Sequence, residues 1–145
     1  MEDNCIVKEL TIVAHKDISV AKISYSEEGI MIVELLDDII IGIPEIKELA
    51  QGSKELSGGE VPLLSLVVTG QRNNISTEAF AFNIFEELQI KQKTIAEALV
   101  IKNLPTRIMA NFYYKVVPRP YPVKVFQEKE LAIEWLLKNK GKTEL

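Results

Sequence analysis

The sequence predicts an α/β fold: a mixed, mostly parallel five-stranded sheet with an N-terminal hairpin and four helices. Three observations carry this. Val20–Tyr25 and Ile30–Leu36 flank Ser26-Glu27-Glu28-Gly29, a turn in which Gly29 supplies a left-handed backbone, so the two runs form an antiparallel hairpin. Leu63–Val68 is a continuous apolar run and Ile95–Ile101 a second strand of buried type, as expected for parallel strands covered on both faces. Stretches with apolar residues at helical spacing separate these runs, and right-handed crossovers then build the sheet.

The elements follow in order. Ile6–Val13 is expected as an extra N-terminal edge strand, with an ambiguous register because Ile6, Leu10 and Ile12 interleave with Lys8 and Thr11. After the hairpin, Asp37-Asp38 breaks the run, and Pro44 suits the first turn of a helix, where its missing N–H would be unpaired anyway. Ile43, Ile46, Leu49, Ala50, Ser53 and Leu56 continue that helix, and Gly58-Gly59 stops it. Ser76-Thr77-Glu78 opens a second helix with capping chemistry, running to about Gln89. Pro105 starts a third, carrying Ile108, Met109, Phe112 and Val116. Pro118, Pro120 and Pro122 make a stiff extended connector into a short strand, Val123–Phe126. Leu131, Ala132, Trp135 and Leu136 stripe the last helix. Residues 1–17 are thus read as an extension, 18–138 as the domain and 139–145 as a polar tail.

Bulk properties narrow the function. The 145 residues suffice for one domain with a real core, at 47% hydrophobic and 26% charged. The net charge is −4 and no basic stripe appears, which argues against a nucleic-acid binder. The densest basic stretch has only Lys115, Arg119 and Lys124 among apolar residues and prolines. A single cysteine, Cys5, leaves no intrachain disulfide. The acidic first residues do not read as a secretory signal, and no apolar run approaches the roughly 20 residues of a membrane span. The expectation is a cytoplasmic protein.

Several segments resemble a known family. These are Ala21–Ser24, Gly29–Val33 and Ile46–Leu49 in the N-terminal third, then Ala98–Ile101, Thr106–Phe112, Pro122–Phe126 and Ala132–Leu136. Together they resemble STAS-like domains, relatives of bacterial anti-sigma-factor antagonists. The C-terminal segments resemble a branch of small bacterial STAS-like proteins of unknown function, grouped with the CRAL-TRIO lipid-binding fold. The resemblance implies a fold and a class of role, not a reaction. Antagonist-type STAS domains bind partner proteins and are switched by phosphorylation of a Ser at the start of the helix after the central strand. The matching place is Asn74-Ile75-Ser76-Thr77, but no Asp precedes Ser76 and no Gly follows it in the first turn.

The candidate sites are few. Ser76 and Thr77 are candidate phosphosites, since a phosphate at a helix N-terminus meets free N–H groups, and the same residues also serve as a cap. Arg107 and Asn111 share a helix face at i,i+4 spacing and are the leading candidates for binding an anion, a polar ligand or a partner. Phe80, Phe82 and Phe85 exceed what one helix stripe needs, which suggests an interface or an acyl-binding face beside core packing. His15 stands alone, Asp37 and Asp38 read as a strand-end turn, and no glycine loop matches a phosphate-binding fingerprint. No metal, cofactor or catalytic constellation is expected. Tyr113 and Tyr114 add the remaining polar chemistry near Arg107.

The leading expectation is a non-enzymatic binding or regulatory module that acts through protein contacts, as a homodimer. The alternative is a carrier of a small apolar ligand or lipid, which requires a closed apolar cavity of several hundred Å³, roughly the scale of ligand pockets. An enzyme is the third reading and lacks any nucleophile or general base that can be named.

Overall fold

The computed structural model describes residues 10–58, 63–76, 78–79, 94–116 and 119–140. Its main sheet has six strands: β1 (Ile12–Asp17), β2 (Ala21–Ser26), β3 (Ile30–Leu35), β5 (Leu63–Val68), β7 (Thr94–Val100) and β8 (Val123–Phe126). They lie in the order β1-β2-β3-β5-β7-β8. Two short strands, β4 (Ile40–Ile41) and β6 (Asn74–Ile75), form a separate parallel pair. The described helices are α1 (Ile43–Ser57), α2 (Leu104–Val116) and α3 (Lys129–Lys140).

The hairpin forms where the sequence places it. β2 and β3 pair antiparallel, with Tyr25 opposite Met31, around a three-residue loop. Gly29 adopts φ +89, the left-handed conformation that closes such loops. Buried Ser26 ties the loop back, its Oγ accepting from the Ile30 N–H at 3.1 Å.

The five strands expected become six because β1 joins the sheet, antiparallel to β2. It lies C-terminal to the expected Ile6–Val13, and Ile12 and Val13 are exposed. Pairing rather than burial places it: backbone bonds to β2, a Thr11 N–H donating to Glu28, and a Lys16–Glu55 ion pair at 2.9 Å. The second of the four expected helices falls mostly outside the described residues. Only its first turn is seen, at 78–79.

From β3 onward every pairing is parallel. Because strand order follows chain order, right-handed crossovers put successive connections on one face of the sheet. α1 packs there against Ile23, Met31, Val33 and Leu63, and α2 against Leu99, Val123 and Val125. α3 covers the opposite face, where Ala132, Ile133 and Leu136 meet Ile32, Leu66, Ala98 and Val100. α3 runs two residues into the stretch expected as a polar tail. Asn139 is buried there, its amide donating to the Trp135 carbonyl at 2.9 Å.

Local chemistry fixes the helix ends. The Glu45 carboxylate accepts from the Gly42 N–H at 2.8 Å at the start of α1, and Gly58 ends it with φ +78. Gly52 lets α1 approach the sheet, since a Cβ there would lie 2.8 Å from the Ile23 side chain.

Two turns clasp each other beyond the C-terminal ends of β3 and β5. Asp37 accepts from the Gln71 N–H at 2.7 Å, and Asn73 bridges the Gly70 N–H at 2.6 Å and the Leu36 carbonyl at 2.7 Å. Asp38 pairs with Arg72, whose guanidinium holds the carboxyl below the usual carboxylate range. Asp37 and Asp38 are therefore bonded within a turn. Gly70 sits at the centre, where a Cβ would stand 2.7 Å from both the Leu35 carbonyl oxygen and the Asp37 carboxylate. Backbone cannot yield as a side chain can, so Gly70→Ala is expected to destabilise the fold by about 1–3 kcal/mol. Chemical denaturation checks this, and an unchanged midpoint would refute the clasp.

Candidate functional site

The crossover face holds a cavity of about 190 Å³ between α1, α2 and the sheet. Most of its wall is apolar: Met31, Val33, Leu63 and Val67 from the strands, Ile46 and Leu49 from α1. One end is different. Ser65, Thr94, Glu97, Tyr114, Arg119 and Tyr121 line it together.

Strand register explains how polar groups reach the middle of a sheet. Met31, Ser65, Glu97 and Val123 are successive partners across β3, β5, β7 and β8, so they form one row on one face. The next row up that face is Val33, Val67, Leu99 and Val125, wholly apolar. Below, the register slips, since Leu63 pairs with Thr94 while Leu64 pairs with Ala96. The extra residue, Ile95, joins the α3 side, and Thr94 turns to the cavity. Bulges re-aim side chains in this way beside binding sites.

Glu97 is the centre of the cluster. Protein atoms crowd its carboxyl, and the surface it keeps is cavity wall. The Ser65 hydroxyl donates to Oε2 at 3.3 Å. Burial pushes the Glu97 pKa above the ordinary glutamate value, with Arg119 and the Ser65 bond pulling the other way.

The other polar groups arrive from α2 and the connector behind it. Tyr114 lies one turn after Ala110, which is fully buried, so it faces the sheet. Arg119 and Tyr121 alternate with the connector prolines, and the Pro122 carbonyl accepts from the Glu97 N–H at 2.9 Å. The stiff connector thus carries both side chains to the polar end. The Arg119 guanidinium lies 5.1 Å from the Tyr114 ring centroid, a cation–π contact. Burial first, then the Glu97 charge, raises the pKa of both tyrosines, so their hydroxyls stay neutral donors.

The residues singled out from sequence lie elsewhere. Arg107 sits at the opposite end of α2, where its terminal nitrogens lie 2.9 Å from the Gln127 side-chain oxygen and its Nε is buried without a partner. Asn111 is exposed, and neither residue lines the cavity. Ser76 is a cap: its Oγ accepts from the Ala79 N–H at 3.1 Å. Thr77, Phe80, Phe82, Phe85 and Cys5 lie outside the described residues. His15 is exposed on β1. Among the described residues no cluster of His, Cys, Asp or Glu could hold a metal ion, and no helix is long and apolar enough to cross a membrane. Sequence reasoning missed Glu97, although a signal was present: an acidic residue inside a strand otherwise built for burial on both faces.

The chain was compared with known proteins. No curated protein matches it. Among solved structures it is similar to an uncharacterised protein of the DUF3478 family with a SpoIIAA-like fold, from Shewanella loihica PV-4. The identity is 14%, the TM-score 0.51, and the match covers 89% of this chain and 96% of that one. At that identity the likeness shows the fold alone, and it supports the STAS-like expectation. It gives no support to the CRAL-TRIO grouping. A family described as a domain of unknown function, DUF7793, matches residues 24–140. That span takes in the hairpin turn, the whole polar row and α3, and the chain belongs to the DUF7793 family.

Proposed function

We propose that this domain is a non-enzymatic binding module whose cavity takes a small amphipathic molecule. One observation carries the reading: an apolar cavity that ends in a half-buried cluster of one carboxyl, one guanidinium and two phenols. Ligand sites combine apolar walls with a few convergent polar groups in this way. The cavity is smaller than the several hundred Å³ expected of a lipid carrier, and polar at one end. An apolar cavity of roughly 150 Å³ accommodates benzene. This one suits a compact ring or a short chain, not a long acyl lipid.

Energetics support a role in binding. A carboxyl deep in a sheet costs stability whenever it ionises, and an apolar residue of similar size would remove that cost. Residues retained at such a cost cluster at functional sites. The cluster lacks the paired nucleophile and base that acyl or phosphoryl chemistry needs, which favours binding over turnover.

A second reading, protein contact through a homodimer, rests on α2. Leu104, Ile108, Phe112 and Val116 recur every fourth residue along its outer face, each more than half exposed. Such a stripe on a helix is the kind of surface that pairs with its own copy about a two-fold axis. The fold likeness is compatible with a regulatory role of this kind.

Three measurements test these readings. Toluene or 1-hexanol is expected to raise the thermal midpoint by about 2–5 °C, and Val67→Phe, which fills the cavity, to abolish the rise. No rise in the wild-type protein would rule the cavity out as a binding site. Glu97→Gln is expected to be more stable than the wild-type protein at pH 8. The sign follows from the raised pKa. Below the ordinary glutamate pKa both folded and unfolded chains keep the proton, and no penalty exists. As pH rises the unfolded chain ionises first, so stability falls until the folded carboxyl ionises too. Urea titrations from pH 4 to 8 should show that fall in the wild type and its loss in the variant. For the second reading, sedimentation should give a dimer that Phe112→Glu converts to monomer; a wild-type monomer at high concentration would remove it.

A further inference from the structure

We infer that the cavity selects a small organic acid: an apolar tail of a few carbons against α1 and the sheet, and a carboxylate on Arg119 and the two tyrosine hydroxyls, with Glu97 as a pH-dependent gate. This rests on the amphipathic-ligand reading above and adds the chemistry of the head group.

The polar end is rich in donors. Arg119 carries a permanent charge and five N–H groups, while Tyr114, Tyr121, Ser65 and Thr94 each carry a hydroxyl. Glu97 is the one carboxylate among the described lining residues. A head group that accepts several hydrogen bonds suits this inventory; an ammonium, which only donates, does not. The geometry of Arg119 agrees. Its Cζ lies 5.1 Å from the Tyr114 ring centroid at the polar end, and a guanidinium binds a carboxylate in bidentate fashion through its N–H groups.

Glu97 then sets the charge of the site. With its proton, the carboxyl is a further donor beside Arg119, and the polar end carries a net positive charge. Without it, Glu97 opposes an incoming carboxylate and offsets Arg119. Among the described residues, the groups facing Glu97 are Ser65 from β5, Tyr114 from α2, and Arg119 and Tyr121 from the connector. Among the described lining residues α1 contributes apolar side chains and Ser53, and no charge. Burial works in the same direction, holding the proton on Glu97 to higher pH than in a free glutamate. Affinity for an acid already ionised in solution therefore rises as pH falls.

Size narrows the tail. By comparison with a cavity that holds benzene, this volume takes on the order of eight to ten non-hydrogen atoms. Octanoate and phenylacetate are of that size.

The experiment titrates the full-length protein with octanoate, 1-octanol and octylamine at pH 6 and pH 8, by calorimetry with amide chemical shifts as the site marker. Octanoate should bind about tenfold tighter than octanol at pH 6, shift the Ser65, Glu97 and Leu99 amides, and bind more weakly at pH 8 than at pH 6. Glu97→Gln should make the octanoate affinity independent of pH. Arg119→Gln should lose the preference for octanoate while keeping octanol binding. Octanol or octylamine binding as tightly as octanoate overturns the head-group assignment and leaves the cavity reading standing. Binding by none of the three overturns both. The comparison of the three probes needs only the wild-type chain, so a poorly folding variant does not blunt it.

Discussion

The handedness of parallel crossovers governs this molecule. From β3 to β8 the strands lie in the sheet in the order they occur in the chain, and each connection must turn the same way. The described crossover helices, α1 and α2, are therefore confined to one face. The other face is left to α3, the helix after the last strand, which returns across it and closes the core with Ala132, Ile133 and Leu136. One helix packs closely on a layer of small side chains, Ala96 and Ala98 among them. The crossover face is different, because helices set by separate connections meet the sheet and one another along separate seams. A cavity arises on that face, and the row of strand partners beneath it decides what its floor presents.

That floor sets a local interest against a global one. The sheet around Ser65 and Glu97 favours apolar residues: the flanking strands are parallel, both faces are covered, and the row above theirs is apolar. The chain places a carboxyl there and then compensates it, with a hydroxyl on the neighbouring strand and an arginine on the connector. Neither reverses the effect of burial, and the proton is held more tightly than in water. Under the proposed binding role, that cost is offset by what the carboxyl does for a ligand in the cavity.

Much of the fold was legible because its signals are local. The Gly29 turn, the apolar run at Leu63–Val68, the Pro44 start and Gly58 stop of α1, and the Ser76 cap each depend on a few neighbouring residues, and each stands where the sequence puts it. β1 was harder, because it is held by backbone pairing and by an ion pair to distant Glu55, and its exposed Ile12 and Val13 imitate a core face. The site was least legible. Its residues come from β5, β7, α2 and the connector, which only the register brings together. Arg107 and Asn111 share a helix face and so look like a site from spacing alone, yet that face does not border the cavity. Glu97 gave a signal of its own, but a lone acid in an apolar strand names no partner until Ser65 and Arg119 are placed around it.

α2 shows why a periodic stripe can mislead. Two apolar series run along it: Ile108, Phe112 and Val116, and the adjacent Met109, Ala110, Tyr113 and Tyr114. Either is a plausible inner face on spacing, and the first has the stronger hydrophobic residues. The sheet takes the second, with Ala110 against the strands and Ile108, Phe112 and Val116 outward. The connector must return to begin β8 beside Glu97, and it carries Arg119 and Tyr121 to the polar end of the cavity. With Tyr114 placed next to Arg119, the rotation of the whole helix is fixed, because residues on one rigid helix cannot turn independently. The most hydrophobic side chains of α2 thus face outward, while the series that packs on the sheet also brings Tyr114 to Arg119.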